Sequence, residues 1–147
     1  MRSMHIEAYR EAILARARRL SPGASPRWGR MNASQMLVHI TEAMSMASGD
    51  LFVRGKRHPV RLPVIKQLML YVIPMPKNLP TAPELIARAP AAFDVEMRTF
   101  GEAVQRFARR DPLAAWPDHP VFGPMTRHSW GVLAHKHTDH HLTQFGL

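Results

Sequence analysis

Apolar residues recur at helical spacing in four long stretches of the chain. Over residues 4–20 the repeat runs through Ile6, Tyr9, Ile13, Ala17 and Leu20, with arginines opposite, and predicts a first amphipathic helix. Pro22, Gly23 and Pro26 end it, since a proline disfavours helical geometry in the residue before it and glycine accepts a positive φ. Asn32 stands three residues before Gln35, the spacing of a capping box in which each side chain satisfies an orphan backbone N–H. A second helix is therefore expected from about Ala33 to Ser48, stopped by Gly49. Phe93, Met97, Phe100, Val104 and Phe107 mark a third, which ends near Asp111 and Pro112. Thr126 caps a fourth, from about Arg127 to Phe145.

The stretch between the second and third helices is less regular. Residues 50–61 gather Arg54, Gly55, Lys56, Arg57, His58 and Pro59 and read as a basic loop. Val64 to Ile73 is an apolar run whose length does not decide between helix and strand; a short buried helix is expected. Pro74, Pro76 and Pro80 make a stiff connector, and Thr81 with Glu84 offers a second capping box for a turn or two up to Arg88. Residues 114–125, with three prolines and a glycine, read as loop. The pattern predicts an all-α protein, an antiparallel four-helix bundle with an extra short helical insertion between helices two and three. At 147 residues the chain has the size of one domain, 1–147.

Composition narrows the chemistry. Cysteine is absent, which excludes disulfides, thiolate metal sites, iron–sulfur clusters and a thiol nucleophile, so a metal would have to sit on nitrogen or oxygen. Twenty Lys and Arg against eleven Asp and Glu give a net charge of +9, with nine histidines besides. That balance favours anionic partners without naming one. The first twenty residues carry acids and arginines and no continuous apolar core, unlike a secretory signal, so a cytoplasmic location is expected. The longest apolar stretch, Leu62 to Pro76, is interrupted by Lys66, Gln67 and three prolines and is too short for a membrane span.

The phase of each predicted helix places its histidines. At about 100° per residue and with Met36 as zero, Ile40 falls near 40°, Ala43 near −20° and His39 near −60°, on the apolar stripe. On the last helix, with Trp130 as zero, His137 falls near −20°, His141 near 20° and Gln144 near −40°. By the same rule His128, His135 and Asp139 point about 140–180° away, toward solvent, and His140 lies on the flank. His137 and His141 have the i, i+4 spacing that lets two imidazoles on one helix reach a single ion. One inward histidine is more often a core residue hydrogen-bonded to a neighbour than a ligand. Three in one core are harder to satisfy that way, whereas one divalent cation accepts a lone pair from each of His39, His137 and His141.

Several blocks carry a wider likeness: Trp28 to Asn32 with Gln35 to His39, Pro76 to Pro80, His119 to Gly123, and His137 to Phe145. Together they resemble an uncharacterised branch of the DinB/YfiT-like superfamily over nearly the whole chain. The resemblance implies an antiparallel four-helix bundle, a three-histidine divalent metal site and, in some members, metal-dependent thiol-transferase or hydrolase activity. It matches the family's ligand on the second helix to His39 and the family's pair on the last helix to His137 and His141, with Gln144 at a glutamine that often follows the pair. The family's acidic residue after the first histidine of the pair is Thr138 here.

Three neutral imidazoles without a fourth protein ligand describe an open site, the kind that serves catalysis by activating a water or thiol nucleophile. Zinc suits all-imidazole ligation, and nickel, iron or manganese fit the same nitrogens. The expected partners are a small-molecule substrate and a low-molecular-weight thiol as cosubstrate; a homodimer is compatible with the sequence but not written in it. Two other readings stay open. One is a noncatalytic metal-binding bundle. The other is a nucleic-acid-binding protein, on the clusters Arg16/Arg18/Arg19, Arg54/Lys56/Arg57 and Arg106/Arg109/Arg110, although no helix-turn-helix, stacking platform or finger accompanies them. Ten methionines suggest either an adaptable binding surface or gap filling, and Met36, Met44 and Met97, which sit at core spacing, favour gap filling. His119 and His128, just before and inside the last helix start, read either as loop locks or as partners that orient a ligand.

Overall fold

Local chemistry sets the helix boundaries. In the computed structural model, which describes residues 1–55 and 59–147, the chain folds into five α-helices. They are α1 (Glu7–Ala17), α2 (Ala33–Ser48), α3 (Pro63–Tyr71), α4 (Phe93–Arg109) and α5 (Arg127–Gln144), with single 3-10 turns at Pro59–Arg61 and Pro83–Ile86. Among the described residues there is no β-strand, only one bridge between His119 and Gly123. The all-α class therefore holds. Lys56, Arg57 and His58 of the expected basic loop lie outside the described residues.

α2 opens with the predicted capping box. The Gln35 N–H donates to Asn32 Oδ1 and the Asn32 N–H to Gln35 Oε1, both at 2.9 Å, which satisfies two of the orphan donors of the first turn. It closes at Gly49, whose φ of 83° needs a residue without Cβ strain. Thr126 caps α5 by accepting from the Ser129 N–H at 3.1 Å.

Three expectations need correction. The first helix starts at Glu7 instead of residue 4, and Ile6 and Tyr9 are exposed; its buried face is Ile13, Leu14 and Ala17. Residues 3–5 instead fold against α5, where the Met4 N–H donates to the Gly131 carbonyl at 2.9 Å and a Cβ on Gly131 would run into Ser3 and the His5 ring. Thr81 caps nothing: the turn at Pro83–Ile86 has Ala82 at its N-cap, and Glu84 accepts from the Arg54 backbone N–H. Proline at the first position makes a side-chain cap dispensable, since its missing N–H is one of the orphans. The run from Val64 is a helix, as expected, but not a buried one, because Leu70 is its only buried residue.

Packing follows the apolar faces. α2 lies against α4, α5 and the turn at Pro83–Ile86, while α1 packs on α5 and α4, and α3 on α5. Phe100 and Phe107 of α4, Ile40 of α2, Ile13 of α1 and Trp130 of α5 share one core; each such side chain contributes about 1.5–3 kcal/mol by leaving water. α5 is enclosed on most sides, with eleven of its eighteen residues buried.

One polar cluster holds the connector down. The Arg88 guanidinium forms two hydrogen bonds to the fully buried Glu96 carboxylate, at 2.7 and 2.8 Å, and a third to Glu42 at 2.9 Å. The Ala91 N–H gives Glu96 its third bond, at 2.7 Å, and the cluster its fourth. Hydrogen bonding to Arg88 holds the Glu96 carboxyl below its ordinary range, against the opposing effect of burial. The cluster ties the connector to both α2 and α4, and so fixes the segment that carries Leu85 over α2.

Candidate metal centre

His39 comes from the middle of α2, and His137 and His141 from successive turns of α5. Helical phase brings them to one point. His39 Nε2 and His137 Nε2 lie 3.1 Å apart, and His137 Nε2 and His141 Nε2 3.2 Å apart. One nitrogen from each of the three residues falls within a set whose members are all within 4.8 Å of one another. The rings stand nearly perpendicular, at 78–89°, with centroids 4.7–4.9 Å apart, so nitrogens and not ring faces converge.

Hydrogen bonds beside the triad fix which nitrogen of His141 is free. His141 Nδ1 sits 2.8 Å from Gln144 Oε1, and the Gln144 amide N–H donates to the Trp28 carbonyl at 2.6 Å. An amide whose nitrogen already faces a carbonyl must present its oxygen to the imidazole. His141 therefore donates through Nδ1 and keeps a lone pair on Nε2, the relay by which ligand histidines are usually oriented. Gly29 makes room for this relay: its φ is 80°, and a Cβ there would come within 2.5 Å of Gln144 Nε2.

Burial keeps the imidazoles neutral. It pushes His39 down to about 4, partly offset by the backbone of Leu85, and His141 to about 3, with His39 adding to the fall and the Gln144 bond opposing it. His137 is lowered further by burial, then by its two partners. Its remaining accessible surface faces a cavity that His39, His140 and His141 also line.

The structure brings together all three histidines picked from helical phase, and Gln144 with them. It moves one residue against expectation: His135 is buried, edge-on to Tyr9 with ring centroids 5.9 Å apart, because α1 covers the back of α5. His128 is exposed and stacks on Tyr71, and Asp139 pairs with Arg16. His119 is a loop lock. Its Nδ1 accepts from the N–H groups of Val121 at 3.0 Å and Phe122 at 3.2 Å. Thr138 is fully buried and its hydroxyl donates to the Ala134 carbonyl at 2.9 Å, which occupies it within its own helix.

The cavity itself, about 1190 Å³, was not read from the sequence. Met44, read as core filling, lines it, together with Met31, Met46, Met69 and Met75. Only the unusual methionine content could have signalled it.

The fold and this cluster define an all-α protein with a three-histidine centre at a cavity wall. Its sequence matches, over residues 1–146, the family described as "Protein of unknown function (DUF1569)", and the chain belongs to that family. No curated protein and no solved structure matches it.

Proposed function

We propose that His39, His137 and His141 hold one divalent cation through their Nε2 atoms and that the protein is a metal-dependent enzyme acting on a small molecule. The observation that carries this is the pair of Nε2–Nε2 distances. A neutral imidazole nitrogen bears either one proton or one lone pair. His137 Nε2 therefore cannot make a separate hydrogen bond to each neighbour, and His141 Nε2 has no proton to offer. One ion satisfies all three lone pairs at once. Two nitrogens bonded at about 2.0–2.1 Å to a tetrahedral ion lie roughly 3.3 Å apart, close to the spacing present here. Zinc is the ion of choice for neutral imidazoles, with nickel, iron or manganese as competitors.

Such an ion supplies Lewis acidity and lowers the pKa of a water or thiol held at its open position. The chain's own part is to fix three ligands, with Gln144 setting the tautomer of His141, and to offer a cavity beside them. The reaction class is addition of water or a low-molecular-weight thiol to an electrophile, as a hydrolase or thiol transferase. The resemblance to the DinB/YfiT-like superfamily supports this, and on this reading α1, α2, α4 and α5 make up the four-helix bundle of one domain, with α3 as the insertion. A noncatalytic metal-binding bundle is the second reading, favoured by the absence of any acidic residue at Thr138. In two of the basic clusters arginines are engaged within the chain: Arg16 with Asp139 and the Leu147 carbonyl, Arg110 with the Ser48 and Ala115 carbonyls, and Arg106 with Asp50.

The test is metal content and melting temperature of the protein loaded with zinc, nickel or manganese at pH 7.5. One ion per chain and a rise in melting temperature on metal addition are expected, since a ligand at 100 times its Kd adds about 2.7 kcal/mol to the native state. No ion above background would overturn the reading. Activity with a panel of electrophiles, with and without thiols, then separates enzyme from noncatalytic bundle.

A further inference from the structure

At about 1190 Å³ the cavity beside the histidines exceeds the roughly 300–1,000 Å³ of ordinary small-molecule pockets. Five of the chain's ten methionines line it, and unbranched thioether side chains reshape easily around apolar guests. The charged side chains at its border are already engaged or in water. Lys136 donates to the carbonyls of Met69, Leu70 and Ile73 at the end of α3. Glu84 accepts from the Arg54 N–H, and the Arg54 and Arg30 side chains belong to exposed residues. Among the described lining residues no buried cation or carboxylate faces the interior unpaired. A charge carried on the ligand's body, away from the histidines, would lose its water and find Lys136 already held by three carbonyls. The three Nε2 atoms form the polar cluster of the wall, with His119 and His140 also lining the cavity.

We propose that this cavity takes a substrate with an apolar, uncharged body, an alkyl or aryl chain, whose single lone-pair-bearing polar end lies at the His39, His137 and His141 nitrogens. The proposal rests on the metal reading for its polar end and on the cavity alone for its body. The substrate class is thus a lipophilic electrophile in which the reactive group terminates the chain, as in an uncharged ester, amide or epoxide of a medium-length hydrocarbon.

Two measurements separate the parts. On metal-free protein, the uncharged dye N-phenyl-1-naphthylamine should bind with a rise in fluorescence, and Ala43→Phe, which fills the cavity beside His39, should abolish that rise. On zinc-loaded protein, linear hydroxamates from acetohydroxamate to octanohydroxamate should bind about three- to fourfold tighter for each added methylene, the factor expected for burial of one CH2. Suberic acid monohydroxamate, a chain of the same length ended by a carboxylate, should lose that gain. Ala43→Phe should flatten the series while leaving acetohydroxamate affinity within twofold. Leu79→Asp, at a half-exposed position of the cavity wall, should do the same if the filled variant does not fold. Equal affinity across the series, or equal binding of the carboxylate-ended chain, would overturn the proposal while leaving the metal reading intact. Dye binding that persists in both variants would place the apolar site elsewhere and overturn it too. Absence of zinc with a dye response that Ala43→Phe removes would overturn the metal reading and keep the apolar body.

Discussion

Two polar clusters of three side chains each, one around the buried Glu96 and one around the buried histidines, differ in whether they are complete. Arg88, Glu42 and Glu96 pair opposite charges, and four hydrogen bonds close the group on itself. His39, His137 and His141 bring three like groups together with their ring nitrogens facing one another. The first needs nothing from outside and acts as a clamp. The second is one that a cation would satisfy, and it lies against a cavity where the first does not. Residue type alone would rank the charged cluster as the more functional, whereas donor and acceptor bookkeeping ranks it lower.

The largest effect should come from breaking the open cluster. His137→Ala removes the nitrogen shared by both short distances and is expected to abolish metal binding, read as metal per chain by mass spectrometry of the native protein. His135→Ala, two residues away and packed on Tyr9, should cost stability but leave the stoichiometry at one. Equal loss in both variants would show that the ion sits elsewhere.

Breaking the closed cluster should do the opposite. Glu96→Gln leaves Arg88 with the Glu42 carboxylate alone and should destabilise by about 2 kcal/mol, below the roughly 3–5 kcal/mol of a fully enclosed pair because the Arg88 side chain is 40% exposed. Urea midpoints would show it, with metal stoichiometry unchanged. A loss of metal in this variant would mean that the connector over His39 is part of the site.

Acid should separate the clusters a third way. The buried histidines have native pKa values of about 4 and about 3 for His39 and His141, below the unfolded value of about 6.5. The unfolded chain therefore binds more protons, and stability falls as pH drops from about 6.5 toward 4, by close to 1 kcal/mol per pH unit for each histidine. Glu96 is lowered as well, so the clamp's contribution persists above the ordinary carboxyl range near 4.3 and is lost only below it. Unfolding curves of metal-free protein between pH 7.5 and 5 should thus fall in the wild type and fall less in His39→Ala. A flat wild-type profile would contradict the buried, neutral state of the triad.

The smallest effect concerns orientation. Gln144→Ala removes the acceptor that sets the His141 tautomer and should weaken metal binding about 10- to 100-fold without abolishing it. Gln144→Glu, which keeps an acceptor, should recover part of the loss.

Much of the triad was legible because it depends only on helix phase. The capping box at Asn32 and Gln35 and the cap at Thr126 fixed where α2 and α5 begin, and about 100° per residue did the rest. His135 was misplaced for a reason phase does not contain. α5 is flanked on its far side by α1 and the first residues of the chain, so the helix has little polar face to show. Glu96 is buried because Arg88 and Ala91 fold back upon it, a contact that helix phase does not contain. The cavity depends on residues from 28 to 144 meeting in space, and no local pattern encodes that.

Zinc-edge X-ray absorption on the loaded protein tests the account most directly, because it counts imidazoles at the metal. Three histidine nitrogens at about 2.0–2.1 Å with one further light ligand are expected, falling to two in His39→Ala if zinc is retained at all. A shell with one imidazole or none, or a wild-type spectrum unchanged by His39→Ala, would contradict it.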